Sequence, residues 1–233
     1  YPLLEYRLGL GRERLFILQL YKIAKKYKEI IFVEIGSSDL NESIILTRIT
    51  SKTKIFSIVY EASEETCIKL KEKKQGNRLD NLKVLNKAIT PNNENYFLRE
   101  SKEKNLNRLV KDNSYFHSKI KNNNILRFNQ IEELYKQKIH KIIKMDIEGL
   151  EEDILINNVD LLSKLQNISL CIELHQQSYK YPDKLKETFI QLTANKFIIK
   201  FVEFSMFSNK QILSEYITNK NLISHNNNRY LIE

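Results

Sequence analysis

Ten residues, IIKMDIEGLE from Ile142 to Glu151, place two carboxylates, Asp146 and Glu148, where an apolar run should end. Ile142, Ile143, Met145 and Ile147 read as a buried strand, and Gly149 as the turn that follows. In open α/β sheets the ligand crevice lies outside the carboxyl ends of the strands, so acids there can contact substrate, cofactor or metal. A second reading makes both acids the solvated opening of the next helix, where the dipole favours negative charge. Glu34 with Gly36 in FVEIGSSDL, Glu61 in VYEAS and Glu173 with His175 in CIELH likewise close apolar runs. FVEIGSSDL is a glycine turn leading to a helix, where backbone can approach a ligand closely, although it is not a GxGxxG. VYEAS puts a carboxylate at the end of the second strand, where an acid commonly chelates ribose hydroxyls in nucleotide-binding sheets.

These side chains need a sheet whose strand ends fall on one level. Arg12 to Tyr27 carries Leu15, Leu18, Tyr21 and Ile23 near one face, which predicts an amphipathic helix that caps the sheet or joins a dimer interface. Ile30 to Ile35 reads as a strand, Ser37, Ser38 and Asp39 as turn and helix start, and Ile44 to Ile49 as helix. A second unit follows: strand Ile55 to Tyr60, Glu61 and Ala62 at its end, then Ser63 as N-cap of a helix to about Lys74. Leu82 to Leu85 and Tyr96 to Leu98 are predicted as short strands, and the polar stretch Ser101 to Asn124 as a mobile segment near the substrate. Ile139 to Met145 resumes the sheet, Glu151 to Ile156 is helical, and Ile168 to Leu174 is another buried strand. A helix from Pro182 to Ala194 precedes strands Phe197 to Phe204 and Tyr230 to Ile232, expected as an antiparallel hairpin at one edge. Strands alternating with helices imply an α/β fold, mostly parallel, with helices on both faces. Residues 1–29 are expected to be a helical extension and residues 30–233 one domain.

Composition narrows the function classes. The formal charge of +9 invites a nucleic-acid partner, but the lysines are spread along amphipathic segments (Lys22, Lys25, Lys26, Lys28; Lys69, Lys71, Lys73, Lys74) and read as solvated faces. No long uncharged apolar run predicts a membrane span, and the first residues do not read as a secretory signal, so a soluble, cytoplasmic protein is expected. Cys67 and Cys171 have no CxxC spacing and read as small buried residues.

Taken in order, FVEIGSSDL, VYEAS, LNKAI (Leu85 to Ile89), IIKMDIEGLE and CIELH resemble the FkbM-type family of S-adenosylmethionine-dependent methyltransferases, over roughly residues 30 to 176. The resemblance implies a Rossmann-like class I methyltransferase sheet with an antiparallel last strand, and methyl transfer to oxygen, often on sugars or other small hydroxylated metabolites. Carried over by position, Glu34, Gly36, Ser37, Ser38 and Asp39 would line the methionine side of the cofactor. Glu61 with Ala62 would hold the ribose, Lys87 and Ala88 would pass beside the adenine, and Asp146 would stand nearest the transferred methyl. Leu40 occupies the place of the family's usual second glycine, where its side chain would tighten the pocket.

Methyl transfer from a sulfonium is an in-line displacement, so positioning supplies much of the acceleration, and an alcohol must also lose its proton. Asp146, Glu148 or His175 are the candidate bases, neutral histidine being best matched near pH 7. Alternatively Asp146, Glu148, Glu173 and His175 hold a divalent ion that binds two sugar hydroxyls and lowers the acceptor's pKa. The acceptor is expected to be a carbohydrate or sugar nucleotide, as in surface polysaccharide or natural-product biosynthesis. RNA ribose is the rival acceptor, prompted by Lys144 beside Asp146 and the net charge; a non-catalytic cofactor-binding module is the other, prompted by Leu40. His117, His140 and His225 receive no role.

Overall fold

The computed structural model describes residues 14–49, 52–92, 94–99, 107–111, 118–120, 124–175, 180–195, 197, 199–202 and 228–232. In chain order the elements are α1 (Arg14–Ala24), β1 (Glu29–Ile35), α2 (Asn41–Ile49), β2 (Lys54–Glu61), α3 (Glu64–Gly76), β3 (Leu82–Asn86), β4 (Ala88–Thr90), β5 (Phe97–Arg99), β6 (Arg108–Val110), β7 (Ser118–Lys119) and β8 (Ile125–Arg127). After two 3₁₀ turns come β9 (His140–Met145), α4 (Glu151–Lys164), β10 (Ile168–Leu174), α5 (Pro182–Ala194), β11 (Ile199–Val202) and β12 (Asn228–Ile232).

Seven strands form one sheet in the order β11-β12-β10-β9-β1-β2-β3. β3, β2, β1, β9 and β10 are mutually parallel, and β12 runs antiparallel to β10 and β11. This is the class I methyltransferase order, with its antiparallel last strand inserted one place in from the edge, and β11 with β12 forms the antiparallel pair expected at one edge.

Period-two alternation along the central strands explains how both faces are covered. On one face Ile31, Val33, Ile35, Ile143, Met145, Leu170 and Ile172 pack with Ile154 and Leu155 of α4 and Leu185 and Phe189 of α5. On the other, Ile30, Phe32, Ile142 and Cys171 meet Leu20, Ile23 and Ala24 of α1 and Leu46 of α2. Thus α1 caps the sheet, but through Ile17, Leu20, Ile23 and Ala24; Leu18 and Tyr21 are only half-buried, because a helix presents i, i+3 and i+6 or i+7 to a flat surface. Leu15 lies outside the residues whose side chains are described.

Ser63 is the N-cap of α3, its hydroxyl accepting from Thr66 N at 3.3 Å. Within the stretch Ser101 to Asn124, expected as a mobile segment, residues 108–110 and 118–119 are instead strands that flank β5 in a small antiparallel sheet; residues 101–106, 112–117 and 121–123 lie outside the described residues. Both cysteines are free and buried, and burial pushes the Cys67 thiol up. No helix among the described residues is long and apolar enough to cross a membrane.

Leu40 adopts φ 61, the left-handed region in which glycine costs nothing, and this accounts for the glycine that the family prefers there. Its side chain, however, lies fully buried with Ile44, Val59, Cys67, Leu70 and Val84, so it fills the core instead of tightening a pocket. Replacing it weighs about 1–2 kcal/mol of backbone strain relieved against about 2–5 kcal/mol of core packing lost. Leu40→Gly is therefore expected to lower stability by roughly 1–3 kcal/mol in urea unfolding. A more stable variant would show that the left-handed backbone outweighs the packing.

Candidate active site

Because β1, β2, β9 and β10 are parallel, their carboxyl ends lie along one edge, and the strand-end residues assemble there. Glu34 pairs in register with Lys144. The Lys144 ammonium lies 2.9 Å from Glu42 Oε1, 3.7 Å from Glu34 Oε1 and 3.8 Å from Asp146 Oδ2. Burial works against that charge, but Glu42, Glu34 and Asp146 together hold it well above its ordinary range. Ser43 Oγ donates to Glu34 Oε2 at 2.8 Å, while Glu34 Oε1 receives no hydrogen bond. Burial pushes the Glu34 carboxyl up to about 7 against the pull of Lys144.

Gly36 has φ 76, and a Cβ built on it would fall 2.1 Å from the Asp146 carbonyl oxygen. Its glycine is thus required by the protein's own chain, whose Asp146 N donates to Ile35 O at 3.1 Å. Beyond it, Ser37 N donates to Glu61 Oε2 at 3.3 Å and Ser63 N to Glu61 Oε1 at 2.7 Å, so one carboxylate ties the first loop to the second. Ser37 Oγ accepts from Leu40 N and Asp39 Oδ1 from Asn41 N, which settles the entry to α2. Ser38 is exposed, and Ala62 and Lys87 are half-buried. Asn86 Nδ2 donates to the carbonyls of Glu61 and Ala62, bracing the end of β2. The Ala88 methyl is enclosed with Leu98 and Ile120, so its backbone alone can pass a ligand.

At the ends of β9 and β10, Asp146, Glu148 and His175 each bring one ligating atom within 4.8 Å of the others. His175 Nε2 is 3.4 Å from Glu148 Oε2 and 3.8 Å from Asp146 Oδ1. Its Nδ1 is 3.0 Å from Glu151 Oε1, and Glu151 also accepts from Ile147 N at 2.9 Å and Gly149 N at 2.8 Å. The reading of Asp146 and Glu148 as helix-opening acids is settled by this turn: α4 opens on Glu151, Glu152 and Asp153, while Glu148 precedes it with φ 55. Glu173, expected as a fourth metal candidate, is not in the group: it shares the His175 face of β10 but stands two residues, about 6.5 Å, further back along the strand, and it is His175, just past β10, that reaches Asp146 and Glu148.

Burial opposes a charged His175, but the hydrogen bond and charge of Glu151, with Asp146 and Glu148, raise it to about 9. Burial outweighs His175 at Glu148, whose carboxyl rises to about 7.

Sequence reasoning missed Glu42 and Glu151, and it used Lys144 only as a prompt for the rival RNA acceptor. A lysine inside the apolar run IIKM was a signal for a buried ion pair; nothing local distinguished Glu151 from its acidic neighbours. His140, at the opposite end of β9, stacks on Tyr27 with centroids 3.9 Å apart and meets Ser169 Oγ at 2.9 Å, while His117 and His225 lie outside the described residues.

A family model described as "Methyltransferase FkbM domain" matches residues 34–203. No curated protein matches. Among solved structures, the chain resembles a methyltransferase FkbM from Methylobacillus flagellatus KT at 14% identity and TM-score 0.47, covering 88% of this chain and 44% of that one. It also resembles an O-methyltransferase from Bacillus cereus in complex with SAH (10%, TM-score 0.46, 95% and 80% covered). An rRNA methylase from Streptococcus thermophilus aligns at 9% identity and TM-score 0.45, with 92% and 93% covered.

Glu61 generates a pH dependence of stability. Burial raises its carboxyl from 4.5 to about 7, offset in part by the amides of Ser63, Ser37 and Ala62. The folded chain therefore keeps a proton that the unfolded chain has lost; this contribution is full below about 4.5 and disappears as pH rises through about 7. Relative to Glu61→Gln, the wild type should lose roughly 1–3 kcal/mol of unfolding free energy between pH 5 and pH 8. A difference that stays constant across that window would place the carboxyl in water.

Proposed function

Since the chain belongs to the FkbM methyltransferase domain family of S-adenosylmethionine-dependent enzymes, we propose that it methylates a hydroxyl oxygen of a carbohydrate, sugar nucleotide or similar small metabolite. The observation that carries this reading is the contact between the two halves of the edge: Asp146, with Glu148 and His175 around it, lies directly against Gly36 in the loop that would hold the cofactor. A hydroxyl seated in that acidic group is therefore next to the place where a methyl donor would end.

The residues fit S-adenosylmethionine chemically. The cofactor carries two ribose hydroxyls, a sulfonium and an ammonium, and supplies an electrophilic methyl group when bound. Glu61 offers the ribose the lone pairs its carboxylate oxygens keep beyond the backbone amides they already receive. Glu34, Glu42 and Asp146 surround a single ammonium, so their side of the edge carries surplus negative charge suited to a cation. Ser37 and Asp39 hold the loop by their own hydrogen bonds, which supports a preformed pocket.

On the acceptor side, Asp146 presents Oδ1 toward His175 and Oδ2 toward Lys144, which fixes its rotamer. Orientation of the hydroxyl against the methyl falls to this group, and so does disposal of the hydroxyl proton. The RNA reading loses one of its two prompts, because Lys144 spends its charge on the buried Glu34 and Glu42 and the half-buried Asp146. The non-catalytic reading loses its own, because Leu40 lies in the core.

Titration calorimetry with S-adenosylmethionine tests the first half: the wild type is expected to bind, and Glu61→Ala to bind at least tenfold more weakly because the ribose loses its acceptor. For the second half, S-adenosylhomocysteine release is followed over a panel of glycosides and nucleotide sugars. Asp146→Asn should reduce kcat by about 100-fold or more, a larger effect than it has on cofactor affinity. A folded protein that binds no S-adenosylmethionine would sink the proposal; turnover on RNA alone, with steep salt dependence, would transfer it to the rival acceptor.

A further inference from the structure

We propose that Asp146, Glu148 and His175 form a site for one first-row divalent cation, with Glu151 as its orienting residue and open positions for water or acceptor hydroxyls. The inference deepens the methyltransferase reading, on which its role in the reaction rests, but the site itself is argued from geometry.

Separation is the first argument. His175 Nε2 stands 3.4 Å from Glu148 Oε2 and 3.8 Å from Asp146 Oδ1, beyond the range of a good hydrogen bond. Two ligands bonded at about 2.1 Å to one ion stand about 3.0 Å apart at a right angle and about 3.4 Å apart at a tetrahedral angle. The 3.4 Å gap matches the tetrahedral separation, the 3.8 Å gap is a few tenths of an ångström wider, and all three ligating atoms lie within 4.8 Å of one another, so the group closes round one ion by small side-chain movements.

The second argument comes from His175, which is only 4% exposed. Its Nδ1 is committed to Glu151, so Nε2 is the free ring position, and it points between the two carboxylates without forming a hydrogen bond. A ligating histidine characteristically has its other nitrogen held by a carboxylate in this way, which fixes both tautomer and ring plane. Glu151 does more than that here. Through Ile147 N and Gly149 N it also shapes the turn bearing Glu148, so one buried carboxylate sets two of the three ligands. Asp146 is fixed independently, with Oδ2 turned to Lys144 and Oδ1 toward the site.

Chemistry then selects the ion class. Two carboxylates and one imidazole suit Mn²⁺, Fe²⁺ or Zn²⁺ better than the all-oxygen shells preferred by Ca²⁺ and Mg²⁺. Three protein ligands leave coordination positions open, and an ion there takes up an acceptor hydroxyl and makes it more acidic. The acceptor class this favours is a vicinal diol, which can chelate through two oxygens.

The test is direct binding of Mn²⁺ to the untagged full chain, read as loss of the free Mn²⁺ signal in electron paramagnetic resonance, alongside S-adenosylmethionine calorimetry on the same sample. Uptake of one Mn²⁺ per chain is expected, weakened at least tenfold in Asp146→Asn and in Glu148→Gln, and 10- to 100-fold in Glu151→Gln. Cofactor affinity should be unchanged in Glu148→Gln, and thermal melts identify any variant that fails to fold. A chain that binds S-adenosylmethionine but no stoichiometric Mn²⁺ overturns the ion site and leaves the methyltransferase reading standing. Uptake that is indifferent to both Asp146→Asn and Glu148→Gln overturns it equally. Stoichiometric, variant-sensitive Mn²⁺ binding without cofactor binding supports the site and defeats the methyltransferase reading.

Discussion

A single buried ammonium organises the carboxyl edge of the sheet. Lys144 meets Glu42 from α2, Glu34 from β1 and Asp146 just beyond its own strand, so three segments are held by one charge. Carboxylates out of water are expensive, and the parallel register of β1 with β9 supplies compensation by setting Lys144 directly opposite Glu34. Such groups contribute little net stability when intact, yet removing one member typically costs about 3–5 kcal/mol because the others stay buried and unpaired. The value of the cluster lies in geometry. With Lys144 between them, Glu34 and Asp146 cannot move apart, and the cofactor loop stays registered on the acceptor side.

Glu151 plays the matching part on the other half of the edge. As the first residue of α4 it occupies a position where the helix dipole favours an acid, but its carboxylate turns inward and is fully buried. It gathers the amides of Ile147 and Gly149 and the ring of His175 into one set of hydrogen bonds. Glu152 acts similarly one residue on, accepting from Lys180 N and Tyr181 N and so tying α4 to the start of α5. The first turn of α4 is therefore a set of internal anchors, and the exposed acids that such a turn usually carries are reduced to Asp153, itself half-buried.

How much of this the sequence disclosed follows from the range of the interactions. Strand ends, the Ser63 cap and the boundaries of β10 and α5 depend on local patterning, and the structure returns them within a residue or two. The strand-end acids Glu34, Glu61, Asp146 and Glu148 were visible because each interrupts an apolar run. Glu42 and Glu151 were not, because each sits in an ordinary helical first turn and gains its partner from a strand or loop elsewhere in the fold. The buried face of α1 was misplaced because apolar residues crowd most of its sequence, RLFILQLYKIA, and packing on Phe32 and Ile142 selects the face. In the small sheet β5 was expected as Tyr96 to Leu98, whereas β6 and β7 escaped because they are two or three residues long inside a polar stretch, too short for a period-two pattern to register.

Net charge illustrates the same distinction between composition and placement. The sequence carries +9, yet Lys22, Lys25, Lys26, Lys28, Lys69 and Lys71 are exposed and Lys141 is spent on the carbonyls of Lys136 and Gln166. At the carboxyl edge the balance reverses: among the described residues Glu34, Glu42 and Asp146 gather round Lys144, and Asp146, Glu148 and Glu151 round His175. A ligand is attracted by the field where it binds, and a cleft with low-dielectric walls concentrates that field. The location of charge, more than its total, thus sets which group that edge suits: a cationic one, whatever the lysines elsewhere provide.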